Sequence, residues 1–255
     1  MNDIVKFAGI VDEAARTATA IPQFTETATL SVADAYEIQA QSIERRIKRG
    51  EKRIGVKMGL TSRAKMAQVN VHEVIWGHLT DAMRLEEGGA LSRARYVHPR
   101  IEPEIAYLLK APLSGDVSPA EALSAVEAIA PAMEVIDSRY RNFKFALPDV
   151  IADNSSSSGF IVGPWARPDA DCSNLGIVME IDGRAVEVGS SAAILGDPIR
   201  SLVAAARLAG PPLGGLQAGW IILAGGATAA RPLAVGQHVR TTIQNIGSVS
   251  IRVAD

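Results

Sequence analysis

The 255-residue chain is poor in several of the groups from which sites are commonly built. It has one cysteine, Cys172, so no disulfide can form within it, and its four histidines show no paired ligand spacing. These two shortages exclude a Cys/His zinc site and fit a reducing compartment. No polybasic run is present, and 26 basic against 28 acidic residues give a net charge of −2. Nothing therefore draws the chain electrostatically to nucleic acid or anionic lipid, and small metabolites are the expected partners. No segment has the eighteen or so unbroken apolar residues of a membrane span, and the N-terminus lacks a basic region followed by an apolar core, so a soluble, cytoplasmic protein is expected. Neither GxGxxG nor GxxxxGK[ST] occurs, so Gly225-Gly226 is not a phosphate loop.

What the chain does have is carboxylates in apolar surroundings. In Ile101-Glu102-Pro103-Glu104-Ile105 the two glutamates share one face of an extended strand, while Ile101 and Ile105 face the other way. Glu134 stands in a second apolar run, Ala130 to Ile136, where a solitary buried carboxylate is costly unless paired, protonated or bound to a cation. Three carboxylates on two apolar strands suggest a hard-cation site, with oxygen-only ligands favouring Mg²⁺ or Mn²⁺. The alternative is a solvent-facing edge strand, which Pro103 also fits.

Hydrophobic residues make up 47% of the chain, enough for a sizeable core. Helical spacing over Asp3 to Thr17 predicts one helix, and Ser31 with Asp34 opens a second. The second ends in the basic turn Arg45, Arg46, Lys48, Arg49 before Gly50, and this cluster reads as a solvated helix end. Lys57 then lies inside the glycine-bracketed run Ile54 to Leu60. It is either a substrate-orienting group or proton donor, or a lysine on the exposed face of an alternating strand, and spacing leans toward the exposed face. A short helix is expected over 64 to 69, and residues 64 to 80 suggest a lid. The Ser118-Pro119-Ala120-Glu121 signature starts a helix expected to run to Ile129, with Pro131 stopping it. Ser155 to Ser158 is either a flexible linker or a set of hydroxyls where buried strands meet a pocket. The C-terminal half alternates as strands, with a hairpin at Asp182-Gly183 and a helix from Asp197-Pro198 to Leu208. The expected architecture is one α+β domain, 1–255, with a helical part at 1–80 that includes the Lys57 segment and a β-rich, metal-binding core at 81–255 built on a curved, barrel-like, largely antiparallel sheet with peripheral helices.

Taken in order, Lys57-Met58-Gly59-Leu60-Thr61-Ser62, Ile101-Glu102-Pro103-Glu104-Ile105-Ala106, Glu134-Val135-Ile136-Asp137-Ser138-Arg139-Tyr140, Ala152-Asp153-Asn154 and Gly225-Gly226-Ala227-Thr228-Ala229 resemble the hydratase/decarboxylase branch of the fumarylacetoacetate-hydrolase superfamily. The resemblance spans nearly the whole chain. It implies that superfamily's fold, and Mg²⁺ or Mn²⁺ held by Glu102, Glu104 and Glu134. It also implies catalytic roles for Lys57, Asp81 and Ser156, and substrate contacts at Leu79, Gly225, Gly226 and Thr228. The chain departs from the family at Ser155, where alanine is usual.

Within that branch, Lys57 to Gln68 and Arg141 to Phe145 resemble the decarboxylases that act on 2-oxo-3-hexenedioate in aromatic meta-cleavage catabolism. The implied reaction loses the far carboxylate as CO₂, with the metal stabilising charge that develops on the 2-oxo oxygen. The alternatives are a 2-hydroxypenta-2,4-dienoate hydratase and a non-catalytic partner subunit of such a hydratase. The expected partners are a small oxo-dicarboxylate, a hydratase of the same branch and further copies of the chain. A C–C hydrolase would need a His/Glu pair, for which adjacent His72 and Glu73 are a weak match.

Overall fold

Strands β5 (Arg100–Leu109) and β6 (Val126–Ile136) pair antiparallel along their length, and this pairing fixes the site because it sets Glu102 directly opposite Glu134. The computed structural model describes residues 2–62, Met66 and residues 73–255. The helix expected over 64 to 69, apart from Met66, the lid up to residue 72, and His72 all lie outside the described residues.

An eight-stranded sheet runs β2 (Ile75–Thr80), β1 (Arg53–Gly59), β10 (Ile221–Leu223), β5, β6, β7 (Ser157–Val162) and β3 (Arg84–Leu85), with β11 (Arg231–Pro232) beside β5. A five-stranded sheet runs β4 (Ala90–Ser92), β13 (Gly247–Ala254), β12 (His238–Ile243), β8 (Gly176–Ile181) and β9 (Arg184–Ser190). Most pairings are antiparallel, as expected. The pairs β1 with β10, β3 with β7 and β4 with β13 are parallel, which makes both sheets mixed.

The larger sheet curls into a half-barrel with two differently used faces. Its outer face packs Met133, Val135 and Ile161 against Val239, Val249 and Ile251 of the second sheet. Farther along, Val56, Ile105 and Ile222 belong to a cluster with Leu202 and Ala205 of the helix Pro198–Leu208. The inner face carries Leu79, Ala106, Ala130, Ala132, Phe160 and Leu223, closed off by Ile43. Ile43 comes from helix α2 (Val32–Lys48), whose N-terminus is fixed by the reciprocal Ser31–Asp34 capping box that the sequence signalled. Helix α1 (Asn2–Arg16) packs against α2. Among the described residues no helix is long and apolar enough to cross a membrane.

Two expectations are corrected. The helix opened by Ser118 covers only Pro119–Ser124, and the chain from Val126 onward is strand. Pairing of Ile129 with Tyr107 and of Ala130 with Ala106 overrides the helical start, and Pro131 lies within β6 rather than ending a helix. Strand β5 is also not an edge. It lies between β10 and β6, and Pro103 is tolerated because β10 has ended at Leu223 by that point, where Pro103 needs no N–H and its carbonyl accepts from Ala227 N.

Candidate active site

Because Glu102, Glu104 and Glu134 all project from the inner face, the strand register gathers them at one end of the half-barrel. One carboxylate oxygen from each lies within 4.8 Å of the others. Glu104 and Glu134 are fully buried, and Glu102 nearly so. Lys57, from β1, is buried on the same face, with its Nζ 2.9 Å from Glu134 Oε2. The reading of Lys57 as a residue on an exposed face is therefore overturned. β1 has neighbours on both sides and both of its faces are covered, so alternation does not mark a wet face.

Three acids and one ammonium in a dry pocket leave an excess of two negative charges when all are ionised. Burial pushes the Glu104 carboxyl well above the usual range, and the charges of Glu134 and Glu102 push it further. Burial likewise raises Glu134, opposed by Lys57 and reinforced by Glu102. On Lys57 burial acts downward, but the three carboxylates outweigh it and keep the ammonium charged. Glu104 Oε2 accepts from Gly225 N at 2.6 Å, whereas Glu104 Oε1 and Glu134 Oε1 have no hydrogen-bond partner among the described residues. Buried carboxylate oxygens left without donors are costly, and a divalent cation removes both the orphaning and the charge excess. The donor set is oxygen only, which suits a hard ion such as Mg²⁺ or Mn²⁺.

Glycines let the backbone approach this cluster closely. A Cβ on Gly226 would run into the Glu102 carboxylate, and one on Gly225, whose φ is +107°, would strike Thr61. Gly77, paired with Lys57, leaves no room for a Cβ beside the carbonyl of Asn154, so the serine run lies tight against β2. That run is strained: Asn154, Ser155 and Ser156 all have left-handed φ (51°, 51° and 62°). Local bonds over-determine it, as such strain requires. Asn154 accepts from His78 N and donates to His78 O, Ser155 Oγ donates to the Trp76 carbonyl, and Ser156 O accepts from Asp137 N. The run is a buried junction between helix and strand, not a linker.

The predicted residues divide accordingly. Lys57, Glu102, Glu104, Glu134, Gly225 and Gly226 come together. Leu79 shares the inner face with Lys57 but lies beyond Gly77, packed in the apolar floor. Ser156 is buried, and its hydroxyl has no partner among the described residues. Thr228, two residues beyond Gly226, has its Cγ2 beside Gly189 and its hydroxyl bonded to the Ala229 carbonyl. Asp81 is not brought to the cluster. It follows the Arg53-paired end of β2, is exposed, and accepts from Lys52 N and Ala82 N. The resemblance implied a pocket role for Asp81, but three residues of strand separate it from Gly77, which is paired with Lys57.

Two inner-face residues were missed. Ser157 pairs with Ile136 and adjoins Glu134, whose charged form its hydroxyl favours. The four-serine run concealed which hydroxyl lies in register with the glutamate. Ile75 pairs with Gly59, and a Cβ on Gly59 would lie 3.1 Å from Ile75 Cγ1 and 3.7 Å from Lys57 Nζ, so both side chains flank one space. The inner face of β2 thus offers Ile75, Gly77 and Leu79, with no titratable group.

A buried carboxylate triad with a lysine on a half-barrel of this topology defines a metal-dependent enzyme class that handles oxygen-rich small acids. Residues 53–254 match the family described as fumarylacetoacetate (FAA) hydrolase C-terminal, and the chain belongs to that family. A 4-oxalocrotonate decarboxylase of a Pseudomonas species is 60% identical over 247 residues, covering 97% of this chain and 96% of its own. A 2-hydroxypent-2,4-dienoate hydratase of Pseudomonas putida is 38% identical over 185 residues, covering 71% and 83%. The structure of the 4-oxalocrotonate decarboxylase from Pseudomonas putida G7, complexed with magnesium and adipate, superposes with a TM-score of 0.95 at 39% identity, covering 99% of this chain and 97% of its own.

Proposed function

We propose that this chain is a carbon–carbon lyase that decarboxylates 2-oxo-3-hexenedioate to 2-hydroxypenta-2,4-dienoate and CO₂, with a divalent metal ion as cofactor. The observation that carries the reading is the buried triad Glu102, Glu104 and Glu134 with its orphaned oxygens, set beside Lys57 and an apolar β2 wall. The relatives support it: the 60% identical protein is named a 4-oxalocrotonate decarboxylase, and the superposing one holds magnesium and adipate, a six-carbon dicarboxylate.

Glu102, Glu104 and Glu134 would hold the ion, which when bound supplies Lewis-acid stabilisation of negative charge developing on the 2-oxo oxygen. Breaking the C5–C6 bond sends its electron pair through the conjugated chain to that oxygen, which then takes up a proton. Lys57, kept as an ammonium by its carboxylate neighbours, orients the C1 carboxylate or delivers that proton. Gly225 and Gly226 give the substrate room beside the triad by withholding side chains. Ile75, Leu79 and Phe160 exclude water, and desolvation favours neutral CO₂ over a carboxylate. A hydratase must also place a general acid or base at the double bond, and β2 supplies none on this face. The Ser156 hydroxyl, which has no partner among the described residues, is a neutral donor that can orient a substrate oxygen.

The test is to strip the protein of metal, add 2-oxo-3-hexenedioate and then Mg²⁺, and follow CO₂ and products by mass. CO₂ should appear only with metal and disappear in Glu104→Gln. Hydration of 2-hydroxypentadienoate without CO₂ release would instead make the chain a hydratase. Association with a hydratase of the same branch, and self-association, also belong to this reading. A dienol product that ketonises in solution favours direct hand-over, and sedimentation of the two proteins alone and mixed tests both.

A further inference from the structure

A second cavity, of about 360 Å³ and sharing no lining residue with the triad, opens between the C-terminal turn of α2, the segment Ala94 to Tyr96, and Asp137, Arg139 and Ser158. Glu134 points inward from β6, whereas Asp137 lies just beyond the strand's end, where it accepts from Val97 N and His98 N. Five arginines and three acids line the cavity, an excess of two positive charges. The acids are already committed. Asp12 is held by Arg45 and Arg49, Glu51 accepts from the Thr80 hydroxyl, and Asp137 is bound to the two backbone amides.

Two of the other arginines are also satisfied: Arg139 by Asp153 and Ser158, and Arg16 by Glu13. That leaves Arg46 and Arg95, which make no ion pair or side-chain hydrogen bond among the described residues. Arg46 is half-buried, and its guanidinium is held below its ordinary pKa by burial first and by neighbouring Arg139 second. The basic turn of α2 is thus divided. Arg45 and Arg49 are neutralised by Asp12, but Arg46 turns into a polar cavity with Arg139 behind it and the Tyr96 ring on its wall. The carboxylates of Glu51, Asp12 and Asp153 offset the Arg139 charge only at a distance, without a hydrogen bond or ion pair to Arg46, and a guanidinium so placed is the complement of an incoming anion.

We propose that this cavity is a second binding site, separate from the triad, for a small doubly charged oxyanion held by Arg46 and Arg95 with the Tyr96 hydroxyl. The cavity suits a short dicarboxylate or a small phosphate, and both present the planar or tripodal oxygens that guanidinium groups bind. The site is walled by Ser158 and Arg139. Arg139 is tied to Asp153 at the head of the serine run, so the cavity backs onto the segment that supplies Ser157 to the triad.

The test is calorimetric titration of succinate and, separately, inorganic phosphate into metal-stripped protein, at constant ionic strength set with chloride. The site predicts saturable binding of at least one of them, weakened about tenfold or more in Arg46→Gln and unchanged in Lys48→Gln on the same helical turn. Saturation by succinate alone assigns a dicarboxylate, and by phosphate alone a phosphate ligand. Arg95→Gln, at an exposed position, should weaken binding severalfold and serves if Arg46→Gln does not fold. No saturation beyond chloride, equal affinity in the arginine variants, or loss of binding in Glu104→Gln, which would place the ligand at the triad, would each overturn the proposal.

Discussion

Two clusters of buried charge flank the serine run and differ in one respect. On one side Arg139 donates to Asp153 through Nε and its backbone amide, to the Asp153 carbonyl through Nη2, and to Ser158 through Nη1. Every strong group there has a partner. On the other side Glu104 and Glu134 are equally buried, yet each keeps an oxygen with no donor among the described residues. Buried charge by itself does not mark a site. A satisfied pair holds the chain in place, whereas an unsatisfied cluster is kept at a cost in stability that only a ligand offsets.

The contrast predicts opposite outcomes for the two clusters. Glu104→Gln should lower decarboxylation by about 10³-fold or more while leaving metal-free stability unchanged or higher, since it relieves like-charge crowding without breaking the Lys57–Glu134 pair. Steady-state turnover and urea unfolding of the same preparations check this. Arg139→Met should do the reverse, costing about 3–5 kcal/mol of stability because Asp153 is left buried and unpaired. Denaturant midpoints measure the loss.

Gly226→Ala drives a methyl group into the Glu102 carboxylate. It should weaken Mg²⁺ binding by about 10–100-fold, the range seen when groups supporting a ligand are displaced, with little change in the melting temperature. A stability loss without a change in metal affinity would show that the Gly226 contact is ordinary packing.

On the outer side of β2, His78 is buried beside Arg53, and burial first, then the positive charges of Arg53 and Arg46, lower its pKa to about 3. The folded state binds the proton more weakly than the unfolded chain, whose histidine has a pKa near 6.5. This contribution is therefore fully present above pH 6.5 and is lost progressively as pH falls from 6.5 toward 3. His78→Gln should flatten the stability profile over that window. Asp81→Ala should have the smallest effect, within about 0.5 kcal/mol in stability and less than twofold in turnover, because its carboxylate only accepts two exposed backbone amides. A large loss of turnover would return Asp81 to the catalytic group.

Much of this contrast is legible in the sequence where chemistry and local spacing coincide. The i, i+2 spacing of Glu102 and Glu104 implies a shared face, and the apolar flanks of Glu134 imply burial; strand pairing then places them together. Capping signatures locate helix starts for the same reason, since the Ser31–Asp34 and Ser118–Glu121 bonds are local. Tertiary pairing is not local, so the helical signature carries past Val126 to Ile129, where the chain is already strand. Alternation leans Lys57 toward solvent because it reports which residues share a face and not what covers that face. Similarly, the bulge between Val135 and Ile136 decides which serine comes into register beside Glu134, and no count along the chain contains that bulge. The basic turn after α2 could be read as a solvated helix end only while Asp12, more than thirty residues away, was not known to select Arg45 and Arg49.

The most direct measurement is calorimetric titration of Mn²⁺ into metal-stripped wild type, Glu104→Gln and Arg139→Met, each at a temperature where it is folded. The account predicts one site per chain in wild type, its loss in Glu104→Gln and its retention with near-native affinity in Arg139→Met. Equal binding by wild type and Glu104→Gln would contradict it, because the orphaned carboxylates would then not be the place where the cation resides.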